Sequence, residues 1–207
     1  MFGDVQGARL IEHGGTLSSV VPSIPSASIF NATTYDHARP EALDAALTEA
    51  EQAYAETDVK AWGAWIIEGD AEGQRIASRH GMKLDSSPRA MGAELSALDL
   101  SADTSNVTEG WDLATAARLN ELGYAVQPGI FKPLGDVSQP DGARCFIIEH
   151  EGALAGSVVT CPNGEDDCGV FWVATDPVFQ GRGIARAGMT AALRQAIADG
   201  HRTTTLQ

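Results

Sequence analysis

Residues 169–185, GVFWVATDPVFQGRGIA, join a run of β-forming residues to a glycine-rich turn and to the start of an amphipathic segment. Residues 169–175 are rich in β-branched and aromatic side chains and are too few for a typical helix, so they predict a strand. Asp176 and Pro177 are typical of a turn after a strand. Over residues 183–199 one apolar face is formed by Ala185, Met189, Ala192, Leu193, Ala196 and Ile197. The stretch therefore predicts a strand, a turn and a long helix.

The turn, residues 180–185 (QGRGIA), brings main-chain N–H groups to the start of that helix. The first N–H groups of a helix have no intrahelical partner, and the helix dipole adds about half a positive charge there. Gly181 and Gly183 let an anion approach without meeting a Cβ, and Arg182 can add a charge-assisted hydrogen bond. These features predict a phosphate site. In the alternative interpretation, the glycines only make a tight turn onto the helix.

Other phosphate-binding loops do not fit this spacing. Gly-x-Gly-x-x-Gly needs a third glycine in register, and no Gly-Lys-Ser or Gly-Lys-Thr follows for a nucleoside triphosphate. The residues match instead the Gln/Arg-x-x-Gly-x-Gly/Ala motif of the GNAT superfamily of N-acetyltransferases, in Gln180, Gly183 and Ala185. The preceding Val-Ala-Thr-Asp-Pro, residues 173–177, resembles that family's strand end. The resemblance covers about residues 105–207.

The GNAT resemblance implies an α/β fold, of the mixed α+β kind, in which helices flank a mixed, mostly antiparallel sheet. It implies acetyl-CoA or another acyl-CoA as cosubstrate, and no metal. The pyrophosphate is expected on the turn, at Gln180, Gly181, Arg182, Gly183, Ile184 and Ala185. The pantetheine arm is expected beside the strand, at Val173, Ala174 and Thr175.

The rest of the second half agrees with this fold. Residues 111–122 predict a helix, and residues 127–142 form a Gly/Pro-rich loop of the kind that borders binding sites. Residues 143–149 and 153–161 predict a hairpin, and residues 203–206 predict a further strand. A GNAT domain normally continues into another helix and more strands, so the resemblance implies a domain that is incomplete at its C-terminal end.

The first half predicts a helix over residues 40–56, a strand over 59–67, a helix over 71–80 and an extended segment over 88–98. This order resembles the second half of a GNAT domain and implies two GNAT-like lobes in tandem. Residues 34–39 (TYDHAR), which precede the first helix, contain no glycine, so this lobe lacks the pyrophosphate loop.

The expected boundary between the lobes lies near residue 100, where the polar residues 101–109 (SADTSNVTE) predict a linker. The degenerate lobe is then 1–100, and the acyl-CoA-binding domain is 101–207.

Charge and hydropathy limit the partners. The 207-residue chain has a formal net charge of -14 and no cluster of Lys and Arg, which argues against nucleic acid. No stretch reaches the roughly 18 apolar residues of a membrane span, and no export signal begins the chain. We therefore expect a cytoplasmic protein without a membrane partner. An acidic surface favours a cationic or amine-bearing small molecule as acceptor. In the alternative interpretation, the acidity only keeps the protein soluble. A homodimer is left open.

Cysteine and histidine do not predict a metal or a covalent intermediate. The three cysteines, an odd number in the last third of the chain, argue against a disulfide framework. Cys161, Cys168 and His150 do not have a zinc spacing. No serine or cysteine lies in a nucleophile-elbow motif that could carry an acyl group.

The resemblance implies direct transfer of the acyl group from CoA to a primary amine, with main-chain N–H groups near residues 173–175 facing the thioester oxygen. No carboxylate lies in residues 169–175, so a water relay is expected to take the proton of the amine. Tyr124 is the candidate catalytic residue and, with Trp172, a candidate for the pocket wall; packing is the alternative for both. For Asp176, a turn-forming role competes with a catalytic one.

Two other functions stay open. Because no acid or base stands out, the sequence also fits a non-catalytic acyl-CoA-binding or regulatory protein. A pure interaction module would bind no coenzyme at all.

Overall fold

The computed structural model describes residues 5–206 and divides the chain into two compact units, Phe2–Ser87 and Pro88–Gln207. Residues 1–4 and 207, at the outer ends of the two predicted lobes, lie outside the described residues. The division lies earlier than the predicted boundary near residue 100. The reason is that Met91–Glu94 pairs antiparallel with Thr203–Leu206 and so belongs to the sheet of the second unit.

The N-terminal unit contains a four-stranded sheet. Its elements are β1 (Arg9–His13), β2 (Thr16–Val20), β3 (Ala32–Tyr35), α1 (Glu41–Ala55), β4 (Gly63–Ala64) and α2 (Ala71–Arg79). The strands lie in the order β1-β2-β3-β4. The first three are antiparallel, whereas β3 and β4 are parallel and α1 connects them. The predicted helices over residues 40–56 and 71–80 are confirmed.

The predicted strand over residues 59–67 is wrong except at Gly63–Ala64. The amide nitrogens of Lys60 and Ala61 both donate to the carbonyl of Pro25, at 2.8 and 3.0 Å, and not to a strand ladder. Val59 and Trp62 pack against buried residues of α1 and β2. The β-forming composition of this segment therefore reflects side-chain burial in a loop.

His80, directly after α2, connects the two helices of this unit. Its Nδ1 lies 2.9 Å from Glu51 Oε1 and its Nε2 lies 3.0 Å from Asp44 Oδ1, both on α1. Burial works against the charged imidazole, but the hydrogen bonds with Glu51 and Asp44 outweigh it and raise the pKa of His80 above its ordinary value. Protonated His80 therefore stabilises the contact between α1 and α2.

We expect the stability that His80 contributes to be lost as the pH rises. A raised pKa in the folded state means that this contribution is complete below the unfolded-state pKa, about 6.5, and disappears as the pH passes through the folded-state pKa. His80→Gln should remove this pH dependence in urea denaturation between pH 5.5 and 8.5. Arg79→Gln is the control, because it removes another partner of Asp44 that does not titrate in this range. An unchanged pH dependence in His80→Gln would contradict the assignment.

The C-terminal unit contains a six-stranded sheet. Its elements are β5 (Met91–Glu94), β6 (Val107–Glu109), α3 (Leu113–Gly123), β7 (Arg144–His150), β8 (Ala153–Pro162), β9 (Asp167–Thr175), α4 (Ile184–Ala198) and β10 (Thr203–Leu206). The strand order is β5-β10-β9-β8-β7-β6. Only β9 and β10 are parallel neighbours among these strands, and α4 connects them.

The predicted fold class, a mixed and mostly antiparallel sheet flanked by helices, is confirmed. The helices and strands predicted from residue 111 onward are present, with ends within two residues of the predicted ones. The prediction of a linker over residues 101–109 is wrong at its C-terminal end, because β6 lies there and pairs antiparallel with β7. Burial of Val107 against the core cluster of this unit explains why a polar stretch ends in a strand.

The two helices of this unit cover opposite faces of the sheet. Val158 on β8 belongs to the apolar cluster that includes Ile184 and Leu193 of α4. Its neighbour Ser157 contacts Asn120 of α3. Because successive side chains of a strand point to opposite faces, α3 and α4 lie on different sides of β8.

Both units contain the same order of elements: three antiparallel strands, a helix and a parallel strand. In the N-terminal unit these are β1, β2, β3, α1 and β4, and in the C-terminal unit they are β7, β8, β9, α4 and β10. That the two units are two lobes of one fold stays a prediction. That the N-terminal lobe is a degenerate GNAT lobe stays a prediction.

Candidate functional site

The glycine-rich turn before α4 has a backbone that favours glycine. Gly181 has a φ of 76° and Gly183 a φ of 79°, and Gly183 is the N-cap of α4. Both angles lie in the left-handed region, which side chains with a Cβ adopt at a cost. A Cβ built on either glycine would meet nothing within 4 Å. The turn is therefore open on the side where a ligand would approach its main chain.

The main-chain N–H groups of this turn are available. The first intrahelical hydrogen bond of α4 runs from the amide of Ala187 to the carbonyl of Gly183. Within residues 5–206, no carbonyl or side-chain acceptor pairs with the amides of Gly181, Arg182 and Gly183. The amides of Ile184, Ala185 and Arg186 are in the first turn of α4, where N–H groups have no intrahelical acceptor. The geometry therefore fits a diphosphate on the turn.

Arg182 extends from this turn towards the hairpin between β7 and β8. Its Nη1 lies 3.4 Å from His150 Nε2 and 3.7 Å from Glu151 Oε2, and its guanidinium lies 5.8 Å from the centroid of the Phe179 ring. The Arg182 side chain is 48% exposed. Since exposed ion pairs contribute little, the guanidinium can leave Glu151 for a phosphate at small cost.

Asp176 stabilises the turn between β9 and α4. Its carboxylate accepts a hydrogen bond from the amide of Val178 at 3.0 Å, and its carbonyl accepts one from the amide of Phe179 at 2.9 Å. This geometry favours the turn-forming interpretation of Asp176.

The strand that leads to the turn carries a bulge. Ser157 of β8 faces Ala174 of β9, and Val159 faces Phe171, so between these two pairs β9 has two residues, Trp172 and Val173, where β8 has one. Trp172 has a φ of 54°, which is unusual for a bulky residue. Among the described residues, the pairing of β9 with β10 ends at Val170. The expected pantetheine residues Val173, Ala174 and Thr175 lie on β9 at this bulge and directly after it.

Tyr124, the candidate catalytic and pocket-wall residue, contacts the strand that leads to the turn. Its hydroxyl donates to the carbonyl of Val173 at 3.2 Å, and the residue is 63% exposed. The Trp172 ring lies 5.7 Å from the Phe131 ring, centroid to centroid. The structure thus brings Tyr124 and Trp172 to the bulge and adds Phe131, which the sequence does not single out.

Glu121 is a further residue that the sequence interpretation missed. It is buried, and its carboxylate accepts hydrogen bonds from the amides of Gly129 and Phe131, both at 2.8 Å. These bonds hold the loop that carries Phe131. A signal was present, because Glu121 follows Leu113 and Ala117 at helical spacing on the buried face of α3.

In the corresponding turn of the N-terminal unit, between β3 and α1, several amides are engaged within the protein. The amide of Ala38 donates to the Asp36 carboxylate, and the amide of Arg39 donates to the Asp36 carbonyl, at 3.0 and 2.8 Å. Pro40 has no N–H group, and the amides of Ala42 and Leu43 are also paired. That the N-terminal lobe does not hold a coenzyme in this way stays a prediction.

Side chains for metal or nucleophilic chemistry are not assembled in the described part of the chain. No three His, Cys, Asp or Glu residues in it are placed to hold a metal ion. Burial raises the pKa of Cys145 and of Cys168 to about 11, which keeps both thiols protonated at neutral pH. No helix within residues 5–206 has the length and hydropathy needed to cross a membrane.

A family model described as "Acetyltransferase (GNAT) family" matches residues 98–207. Among solved structures, a GCN5-related N-acetyltransferase from Kribbella flavida aligns with 98% of this chain and 80% of its own, at 16% identity and a TM-score of 0.67. A GCN5-related N-acetyltransferase from Sphaerobacter thermophilus aligns with 98% of this chain and 73% of its own, at 15% identity and a TM-score of 0.59. A functionally unknown conserved protein from Staphylococcus epidermidis aligns with 100% of this chain and 86% of its own, at 12% identity and a TM-score of 0.56. These similarities show a shared fold. No curated protein matches the sequence.

Proposed function

Since this chain belongs to the GNAT acetyltransferase family, we propose that it transfers an acetyl group, or another acyl group, from coenzyme A to the primary amine of a small molecule. The observation that carries the proposal is the row of unpaired amides from Gly181 into the first turn of α4. A Cβ on Gly181 or Gly183 would meet nothing within 4 Å, so there is room for a pyrophosphate at these amides. Arg182 adds a positive charge beside them.

The reaction needs the amine and the thioester to be held close together, and it needs hydrogen-bond donors for the negative charge that develops on the thioester oxygen. The amine nitrogen attacks the thioester carbonyl carbon; a C–N bond forms, the C–S bond breaks, and sulfur leaves as a thiolate. A cationic acceptor first loses one proton to water, which frees the lone pair that attacks. The nitrogen loses a second proton to water as the amide forms, and the thiolate gains one from water. Main-chain N–H groups at the β9 bulge are the donors to the carbonyl oxygen as its charge develops. Holding both reactants at this strand supplies much of the rate.

Water carries the proton in this proposal because the nearby carboxylates have other roles. Glu121 accepts hydrogen bonds from two amides, and Asp176 accepts one from the amide of Val178. The formal charge of -14 raises the local concentration of a cationic amine, which supports an amine as the acceptor.

A non-catalytic acyl-CoA-binding protein is the second candidate, favoured by these same engaged carboxylates. One experiment separates the two functions. Calorimetry with acetyl-CoA measures binding, and thiol release with a panel of amines measures transfer. We expect binding together with amine-dependent thiol release. Binding without release for any amine would favour the second candidate, and no binding would contradict both.

A further inference from the structure

A groove lies between α4 and β6, the strand at one edge of the six-stranded sheet. Its volume is about 280 Å³. Phe146 of β7, which is 3% exposed, belongs to the core cluster beneath the groove, and Val107 of β6 and Ala191 of α4 pack against the same cluster. The other lining residues are polar: Thr104, Glu109, Arg194 and Gln195. The groove therefore combines an apolar base with polar walls.

Two hydrogen bonds show which main-chain groups of β6 face its neighbour β7. The amide of Gly110, directly after β6, donates to the carbonyl of Cys145 at 3.0 Å. The carbonyl of Asn106, directly before β6, accepts from the amide of Glu149, also at 3.0 Å. The main-chain groups of Asn106 and Gly110 therefore face β7.

The outer edge of β6 offers unpaired main-chain groups. Because these groups alternate between the two edges of a strand, those of Val107 and Glu109 face away from β7 when those of Asn106 and Gly110 face it. The amide of Val107 donates back to the carbonyl of Thr104 at 3.0 Å. No strand within residues 5–206 pairs with β6 on this side. The carbonyl of Val107 and the amide and carbonyl of Glu109 are therefore left for another strand.

The groove also contains a guanidinium without an ion-pair partner. Arg194 Nη1 lies 3.4 Å from Thr104 Oγ1, and in the described part of the chain no carboxylate forms an ion pair with Arg194. The carboxylate of Asp103 accepts hydrogen bonds from the amide and the hydroxyl of Ser105 at 2.9 and 3.0 Å. These bonds lower the pKa of Asp103 more than the charge of Arg194 does. Asp103 is therefore engaged by Ser105, and Arg194 remains open to an anion.

The other polar lining residues of α4 and β6 are already engaged. The carboxylate of Glu109 forms an ion pair with Arg144, which also donates to both carboxylate oxygens of Asp199 at 2.6 and 2.7 Å. The amide of Gln195 donates to Asp199 at 3.0 Å. Arg194 is thus the charged group that a ligand in the groove would meet, and a carboxylate is the complement of a guanidinium.

We infer that this groove binds an extended, acidic peptide segment of a partner protein, which adds to the sheet as a strand beside β6. The main chain of the peptide pairs with the outward groups of Val107 and Glu109. Since every second side chain of a strand points to the same face, one acidic side chain contacts Arg194 and an apolar side chain two positions away covers Phe146. The inference does not depend on acyl transfer, because no residue of β9 or of the turn before α4 lines the groove.

The first test measures the role of Arg194. The probe is the octapeptide Thr-Val-Thr-Glu-Thr-Val-Thr-Glu, with a fluorophore at its N-terminus and an amide at its C-terminus, and the readout is fluorescence anisotropy with the full chain. We expect Arg194→Gln to bind it about tenfold more weakly, because a charge-assisted hydrogen bond is lost. Arg118→Gln is the matched control, since Arg118 is an exposed arginine of α3, on the other side of the sheet. It should bind like the parent protein.

The second test measures strand pairing and leaves the protein unchanged. Two versions of the octapeptide are compared, one N-methylated at the threonines and the other at the valines and glutamates. Each version lacks the N–H groups on one edge only. We expect their Kd values to differ by at least about tenfold, because only one edge of the peptide faces β6. In the protein, Glu109→Pro should bind more weakly than its control Glu109→Ala, which keeps the outward amide.

Several results would overturn the inference. These are equal Kd values for the two methylated peptides, an unchanged Kd for Arg194→Gln, and no binding of the octapeptide to the parent protein at about 1 mM. Free glutamate that binds as tightly as the octapeptide would also overturn it, because the groove would then be a site for a small molecule. Amide NMR shifts that change at residues 104–109 on addition of the octapeptide would support it, and changes confined to other parts of the chain would contradict it.

Discussion

Replacement of Gly183 by valine should abolish acetyl-CoA binding, with a loss of at least about 100-fold in affinity. The Cβ and methyl groups would extend into the open space where the phosphate approaches the amides, and nothing in the protein lies within 4 Å to turn them aside. The φ of 79° adds strain of about 1–2 kcal/mol, and its relief would displace the first amides of α4. Calorimetric titration with acetyl-CoA measures the effect.

Gly200→Val is the matched control for this experiment. Gly200 follows the other end of α4 with a φ of 97°, and a Cβ there also meets nothing within 4 Å. The control therefore carries a similar backbone strain but lies at the end of the helix where no anion is expected. If both variants bind acetyl-CoA as tightly as the parent protein, the assignment of the turn is wrong. Equal losses in both would show that strain, and not the phosphate position, decides binding.

Replacement of Gly156 by alanine should destabilise the C-terminal unit by about 1–3 kcal/mol. A Cβ at this position of β8 would lie 2.8 Å from the carbonyl oxygen of Ala174 and 2.7 Å from Cγ2 of Ile184, the first residue of α4. The carbonyl belongs to β9, which cannot move without disturbing the bulge. We expect α4 to shift outward, and coenzyme affinity to fall with it.

Hydrogen exchange of the amides in β8, β9 and α4 measures this loss of stability. Gly110→Ala is the control, because Gly110 lies in the same unit and a Cβ there meets nothing within 4 Å. The control should exchange like the parent protein. If Gly156→Ala exchanges no faster than Gly110→Ala, the close contact of α4 with the sheet does not exist in solution.

The sequence predicts most elements of the C-terminal unit because their patterns are local. The helical spacing of apolar residues in α4, the β-branched residues of β9 and the glycines of the turn each need only neighbours in the chain. The same approach fails at residues 59–67, where β-forming side chains are buried by contacts with α1 and β2. Sequence composition does not distinguish burial in a strand from burial in a loop.

The sequence likewise predicts only part of the candidate site. Gly181 and Gly183 stand out because glycine pairs have few structural uses. The sequence does not single out Asn120, Ser157 and Glu121. The type of a polar residue does not reveal whether it is buried, and the hydrogen-bond partners of these residues are distant in the sequence. The bulge at Trp172 is not visible either, since it depends on the register between β8 and β9.

The bulge has a consequence for engineering. A tryptophan in a left-handed conformation does not encode that conformation, so residues 167–175 would straighten if grafted alone into another sheet. The bulge would keep its conformation only if α3 and β8 were transferred with it, because Asn120 of α3 and Ser157 of β8 donate hydrogen bonds to the carbonyl of Trp172. The smallest transplantable piece of this site is therefore a three-element assembly, even though the motif that identifies it is a single short peptide.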